Sequence, residues 1–415
     1  MTYFSISIFW IAVTSDYPFT LAHAFSWHPG ILLIGLINGI MFLIMLNKST
    51  ITFTGPFMIG LLQFVGYLIL YFIHNDIFYL NAILRLFPIY ITYLFINNII
   101  GLDRIIRSLL FVFKSLSVMT IIAFILVFIG YLHHVSKFVN PDGRIAYNYI
   151  LTFSNVIITV GENSLIRASS FFDEPGTFAF YIIFLIWINK LTFNNKKTES
   201  ILIIGGIITT SLAFYIIIFI YYISFYFRLK DAKYFLITAL TLMSLIFYLN
   251  QMRLDNPISG LIYSLTIGRL SYVGEDNKVI QGDNRSEALI LASKIFSQNP
   301  LFGLSPLKIE KNKIFIGANP MGPLAYHGII GSVIVFLHLI YLFYLLLNPT
   351  IWKKGNMIKI KLFVSLLLLY SQRPDVMGYF SYLLVLLMIS IVDNHNKKRS
   401  GQEFNGLVNK KLYGI

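Results

Sequence analysis

Long apolar runs alternate with short polar breaks over most of the chain. A helix that crosses a bilayer needs about 20 mostly apolar residues. Runs that reach or approach that length lie near 30–46, 52–73, 77–98, 108–132, 176–191, 234–250, 326–347, 360–371 and 378–392. A shorter run at 3–14 predicts one more helix. Ala22-His23-Ala24 mimics a small-residue cleavage site, but no Lys or Arg precedes Lys48. A secretory signal carries a positive n-region, so the first run is read as a retained helix.

The run 201–227 behaves differently. Basic residues flank it on both sides, Lys196 and Lys197 before it and Arg228, Lys230 and Lys233 after it. Short cytoplasmic loops carry excess Lys and Arg, so both flanks belong on one side and the run must enter and return. The turn is placed at Thr209-Thr210-Ser211. At 1.5 Å rise per residue each leg reaches only about 20 Å, short of the ~30 Å hydrocarbon core, so the legs must be shallow and packed on neighbours. The alternative is one long tilted span that breaks the charge rule. With the hairpin counted as two, the reading is an all-α polytopic bundle of about 11–12 spans. Lys48, Arg104/Arg107, Lys353/Lys354/Lys359/Lys361 and the basic tail then share the cytoplasmic side. Residues 1–392 form a single transmembrane domain and 393–415 a cytoplasmic tail, in a bacterial inner membrane.

Composition narrows the class. The 415 residues are 57% hydrophobic and only 12% charged, against about 25% charged in an average soluble domain. No water-facing surface can be built from that. The net charge of +14 lies largely in short loops and the tail, where topology and attraction to anionic membrane lipids explain it. Nucleic acid is not an expected partner. There is no cysteine, which excludes disulfides, thiolate nucleophiles and Cys-based metal sites. No Walker-type loop, dinucleotide fingerprint or HExxH occurs, and neither metal nor cofactor is expected.

Two segments on the non-cytoplasmic side, 133–175 and 251–325, are long enough to carry function. The first ends in Arg167-Ala-Ser-Ser-Phe-Phe-Asp173-Glu174-Pro175, and Pro at a helix start is favourable. Arg167 and the helix N-terminus together favour an anion; pairing of Arg167 with Glu174 is the alternative. In the second, Asp283 resembles an N-cap, and Ala288, Leu289, Ala292, Ile295 and Phe296 recur at helical spacing. That pattern predicts an amphipathic helix on or just in the membrane surface. Arg285 lies in its first turn, where a solvated charge beside Glu287 is the plain reading. His327 falls at the rim of the next span, as a base, a hydrogen-bond partner or an interfacial residue. Arg373 sits in the last short external turn beside Asp375. Arg85, inside an apolar span, calls for a buried partner or a phosphate. His133-His134 lacks further ligands and is read as interfacial.

These residues resemble those of the O-antigen polymerase (Wzy-type) family, within the O-antigen polymerase/ligase superfamily. The resemblance rests on Arg167–Ala179 (RASSFFDEPGTFA), the Thr209–Leu212 turn, Arg285–Gly303 (RSEALILASKIFSQNPLFG) and His327–Gly331 (HGIIG). Their order and topology match over most of the chain. It implies a GT-C-like bundle with a large, partly helical periplasmic loop late in the chain. It also implies metal-independent, inverting glycosyl transfer at the periplasmic face. The substrates are undecaprenyl-pyrophosphate-linked glycans, with a chain-length regulator protein as a further partner. Arg167, Arg285 and Arg373 would bind pyrophosphate, through contacts for which Arg is well suited. Glu174 and His327 would be the base candidates, and Arg285 also a catalytic group. Ligases carry a His-Asn pair where this chain reads Ala318-Asn319, which favours polymerase over the rival reading of ligase. A flippase or other transporter is the rival of another class; evenly spaced spans and internal repeats are its usual marks, and neither is present.

Overall fold

A computed structural model describes residues 2–16, 19, 27–47, 55–139, 145–160, 163–226, 244, 248, 285–312, 314, 316, 319–347, 357–374 and 378–394. Most of the expected span 234–250, nearly all of 251–284 and the tail beyond Asn394 lie outside them.

The described chain is mostly helical. Its first half forms α1 (Thr2–Thr14), α2 (Trp27–Leu46), α3 (Gly55–His74), α4 (Ile77–Phe95), a π-helical turn (Ile96–Ile100) and α5 (Leu102–Phe128). The second half adds α6 (Pro175–Thr192), α7 (Lys196–Ile208), α8 (Leu212–Phe225), α9 (Arg285–Gln298), α10 (Pro306–Lys311), α11 (Gly322–Val335), α12 (Leu337–Leu347), α13 (Met357–Gln372) and α14 (Tyr379–Asn394). Among the described residues α3, α4 with its π turn, α5 and α6 are long and apolar enough to cross a membrane. The pair α11–α12, bent by 54°, is a fifth if taken as one span.

Burial separates two kinds of helix. Thr177 to Asn189 of α6 are all buried, and so are Tyr379 to Ile389 of α14. Helices apolar on every face belong inside a bundle, and these two pack together through Tyr181 and Ser381, whose hydroxyls lie 2.9 Å apart. Around them α3, α4 and α5 bury one face and expose Leu62, Phe72, Leu84, Phe111 and Ile125 on the other. In water so much outward apolar surface would drive association; against lipid it is the expected exterior. Arg85 lies on this outer side, exposed, and not against the buried partner its sequence position called for.

The hairpin at 201–227 is present. Thr209 and Thr210 form the turn, and Glu199 near the start of α7 accepts hydrogen bonds from Tyr221 and Tyr226 at the end of α8, both 2.7 Å. A close crossing seats α7 on α5: a Cβ on Gly205 would lie 2.6 Å from Ser117 Oγ. Small residues at such crossings let membrane helices approach closely.

The all-α expectation needs correction in 133–175. Ser136–Val139, Ile145–Asn148 and Phe153–Ser154 form an antiparallel sheet (β1–β3), and Ile157–Val160 pairs with Asn163–Ile166 as a hairpin (β4–β5). β-branched Ile, Thr and Val on either side of Gly161-Glu162 favour two short strands, but four-residue strands are too short for a clear period. This sheet region rests on the end of α5 through Val127, Tyr149, Ile166 and Ala168. In α9, Ala292 and Ile295 are buried with Ile309, Ile316 and Ala325, while Leu289 on the apolar face is exposed.

Candidate functional site

The C-terminal ends of α4, α6 and α14 meet around one pocket of about 750 Å³, lined by Asn97, Arg104, Thr192 and Asn394 among others. Their N-terminal ends point to the opposite end of the bundle. The start of α6 is recessed there: Phe172, just before Glu174, packs on Phe113 near the middle of α5.

The chain reaches that recess through 167–174. Ser169 N donates to Phe153 O (2.9 Å) and Phe153 N to Ser170 O (2.7 Å), which fastens the segment to the sheet. Below this, Phe172 packs on Phe113 near the middle of α5 and stacks on Phe178. Glu174 follows at the N-cap of α6, extended (φ −148°, ψ 156°), with no side-chain cap and Pro175 next to it. Its carboxylate accepts instead from Arg373 Nη1, at the end of α13. Both side chains are 21% exposed, so the pair is half-open. Asp173 beside it is buried.

Arg167 reaches the α7–α8 turn. Its Nε donates to Thr210 Oγ1 at 2.7 Å, and its Nη2 to Thr210 O at 3.4 Å. The partners weighed from sequence thus change: Glu174 meets Arg373, and Arg167 meets Thr210. Asp375, the sequence neighbour weighed for Arg373, lies outside the described residues. Arg285 opens α9, but its side chain, like Asp283, lies outside them as well.

His327 belongs to a second constellation at the same end. Its Nδ1 lies 2.9 Å from Tyr79 Oη near the start of α4, and its ring stacks on Phe78 (centroids 5.9 Å, 27°). Buried to 4% exposure, the ring lines a cavity of about 500 Å³ with Phe78, Pro306, Ile309, Glu310 and Tyr326. Its Nε2 has no hydrogen bond among the described residues.

The backbone around His327 is tightly specified. Gly328 interrupts α11 at φ 64°, ψ −169°, a conformation open essentially only to Gly. The break frees backbone groups that the loop 300–305 takes up: Leu304 N donates to Ala325 O, Ser305 N to Tyr326 O, Ile329 N to Pro300 O and Ile330 N to Leu301 O, at 2.9–3.0 Å. A Cβ on Gly303 would lie 2.6 Å from the backbone nitrogens of His327 and Gly328. Asp76 caps two helices at once, accepting from Phe78 N (2.8 Å) at the start of α4 and from Leu307 N (2.9 Å) at the start of α10. His74 Nε2 lies 2.9 Å from Phe302 O.

Sequence reading passed over Asp76, Tyr79, Thr210 and Glu310 as partners of this end. Asp76 carries a usable signal, since Asn75-Asp76 separates two apolar runs at a helix start. The other three depend on contacts far apart in sequence. His134 sets its ring edge against Tyr147 (centroids 5.2 Å). Among the described residues no group of three His, Asp or Glu side chains is close enough to hold a metal ion. Compared with protein-family models, with curated proteins and with solved structures, the chain finds no match.

Proposed function

We propose that this chain is an O-antigen polymerase, joining undecaprenyl-pyrophosphate-linked oligosaccharide repeat units at the periplasmic face of a bacterial inner membrane. On this reading it crosses the membrane about 11–12 times, its C-terminus is cytoplasmic, and the recessed end of the bundle faces the periplasm. The observation that carries the proposal is the half-open Glu174–Arg373 pair at the recessed start of α6. Charged groups at membrane depth are expensive and mark function by default. A lipid-anchored pyrophosphate arrives at this depth.

The chemistry then follows from the groups present. The donor pyrophosphate takes over the Arg373 guanidinium from Glu174, and Arg167, from the same segment as Glu174, supplies the second cation. The acceptor hydroxyl attacks the anomeric carbon, the bond from that carbon to the pyrophosphate oxygen breaks, and its electron pair leaves on the phosphate. The arginines neutralise that charge, and preorganised charge is often the largest catalytic term. The hydroxyl proton goes to His327. His327 can hold its own proton on Nδ1 toward Tyr79 and present the Nε2 lone pair. General-base help of this kind contributes about 10²–10⁴-fold.

Deleting the gene and resolving the lipopolysaccharide on a gel tests the assignment. A polymerase deletion leaves core bearing a single repeat. Bare core with polymer stranded on the carrier would assign a ligase, bare core without external polymer a flippase, and a normal ladder would reject all three. Within the polymerase reading, Arg373→Lys at normal protein level gives the single-repeat pattern, because an ammonium cannot reproduce a bidentate guanidinium contact. A full ladder would remove Arg373 from the mechanism.

A further inference from the structure

We infer that the cavity beside His327 is the subsite for the ring of the acceptor sugar, and that this ring is uncharged and fixed by Glu310 and Tyr326; the inference rests on the glycosyl-transfer reading above. The cavity has two kinds of wall. Phe78 and His327 present flat rings lying within 27° of each other, and Pro306 and Ile309 complete an apolar side. Against these stand three residues with polar side chains, Glu310, Tyr326 and His327. An apolar pocket with a few convergent polar groups is the usual form of a small-molecule site, and about 500 Å³ falls within the common range of about 300–1,000 Å³.

A pyranose ring matches this lining, because it has C–H faces for the aromatic walls and a rim of hydroxyls for the polar groups. The two other parts of the lipid-linked substrate match it poorly. An isoprenoid chain would press hydrocarbon on the Glu310 carboxylate with no compensating bond. A pyrophosphate would meet that same negative charge, and the cavity's described lining includes no Lys or Arg. Glu310 likewise disfavours an acidic sugar. The walls are also held in place before any ligand arrives. Asp76 pins α10, which carries Glu310, to the start of α4, and Tyr79 fixes the His327 ring. Preorganised walls lower the ordering cost of binding a small polar ligand.

The full chain in detergent, probed by saturation-transfer NMR, provides the test. The probe is repeat-unit oligosaccharide freed by mild acid from the producing cell's own surface polysaccharide. The expected result is saturation concentrated on one terminal ring, about tenfold weaker binding in Glu310→Gln, and no saturation in Phe78→Ala. Glu310 is exposed, so its substitution leaves the fold intact. In a polymerisation assay Glu310→Gln raises KM for the acceptor and leaves kcat in place. No saturation from the wild-type chain, or equal saturation in Glu310→Gln, overturns the subsite. A deletion strain with a normal ladder would instead overturn the polymerase reading, and the NMR result would still decide whether the cavity takes a sugar.

Discussion

The two ends of α6 each hold a carboxylate beside a cation, and they are built in opposite ways. At the C-terminal end, Glu199 from α7 is 3% exposed, accepts from the hydroxyls of Tyr221 and Tyr226, and has Lys190 Nζ at 4.0 Å. Lys190 also lies over the rings of Phe225 and Tyr226. This cluster ties α6, α7 and α8 together. At the N-terminal end, Glu174 meets Arg373 in a pair that is half-open on both sides. Identical charge types serve to lock three helices at one end and stay exchangeable at the other. Charge chemistry alone therefore does not mark a site; enclosure and competing donors do.

Breaking each pair should separate these roles. Glu199→Ala leaves the buried Tyr221 hydroxyl and the half-buried Tyr226 hydroxyl and Lys190 ammonium without their acceptor; removing one partner of a fully buried pair costs about 3–5 kcal/mol, and the half-buried cation here lowers that cost. The expected outcome is a large drop in the thermal stability of the detergent-purified protein, followed by fluorescence-detected size exclusion, with Glu199→Gln partly restoring it. Glu174→Ala should leave that melting curve within a few degrees of wild type and keep the repeat ladder, because it removes only the resting partner of Arg373, whereas Arg373→Ala should abolish polymer in the gel assay. A mutant Glu174 chain that melts as early as the Glu199 one would erase the contrast.

The His327 end offers a second way to sharpen it, through backbone and not charge. Gly328→Ala forces a Cβ into a glycine-only conformation, at a strain on the order of 1–3 kcal/mol, and directs it at the backbone of Leu301 and Phe302. The loop 300–305 must then detach from α11. Melting should fall, and binding of free oligosaccharide should vanish. Retained sugar binding in Gly328→Ala would show that the loop does not shape the cavity.

Part of this arrangement was legible in the chain and part was not. The α7–α8 hairpin followed from charge at Lys196 and Arg228 and from the helical rise, because topology acts on loops that sequence displays directly. The start of α6 followed from Glu174-Pro175 for a similarly local reason. Which arginine meets Glu174 did not follow, because Arg373 lies 199 positions away and a loop closure of that length leaves no trace in spacing. The strands of 136–166 were missed because two to four residues cannot establish a period of two. Exposure of Arg85 was missed because an apolar run does not say which side faces lipid.

The smallest expected effect concerns Thr210, which joins the recessed end to the hairpin. It holds φ 48°, a left-handed conformation that a β-branched residue adopts at some strain, and its Oγ1 accepts from Arg167 Nε at 2.7 Å. Thr210→Ala removes that acceptor, and a hydrogen bond to a charged group is worth about 1.5–3 kcal/mol when buried; for the half-buried Arg167 the loss should be smaller, about 1 kcal/mol. Thr210→Asn tolerates the same backbone more easily and keeps an oxygen for Arg167. If Thr210 positions Arg167 for pyrophosphate, Thr210→Ala shortens the polymer at nearly unchanged melting temperature, and Thr210→Asn restores chain length. Polymer of wild-type length from Thr210→Ala would make the contact a structural brace of the turn, and would leave Arg373 as the cation on which the donor site depends.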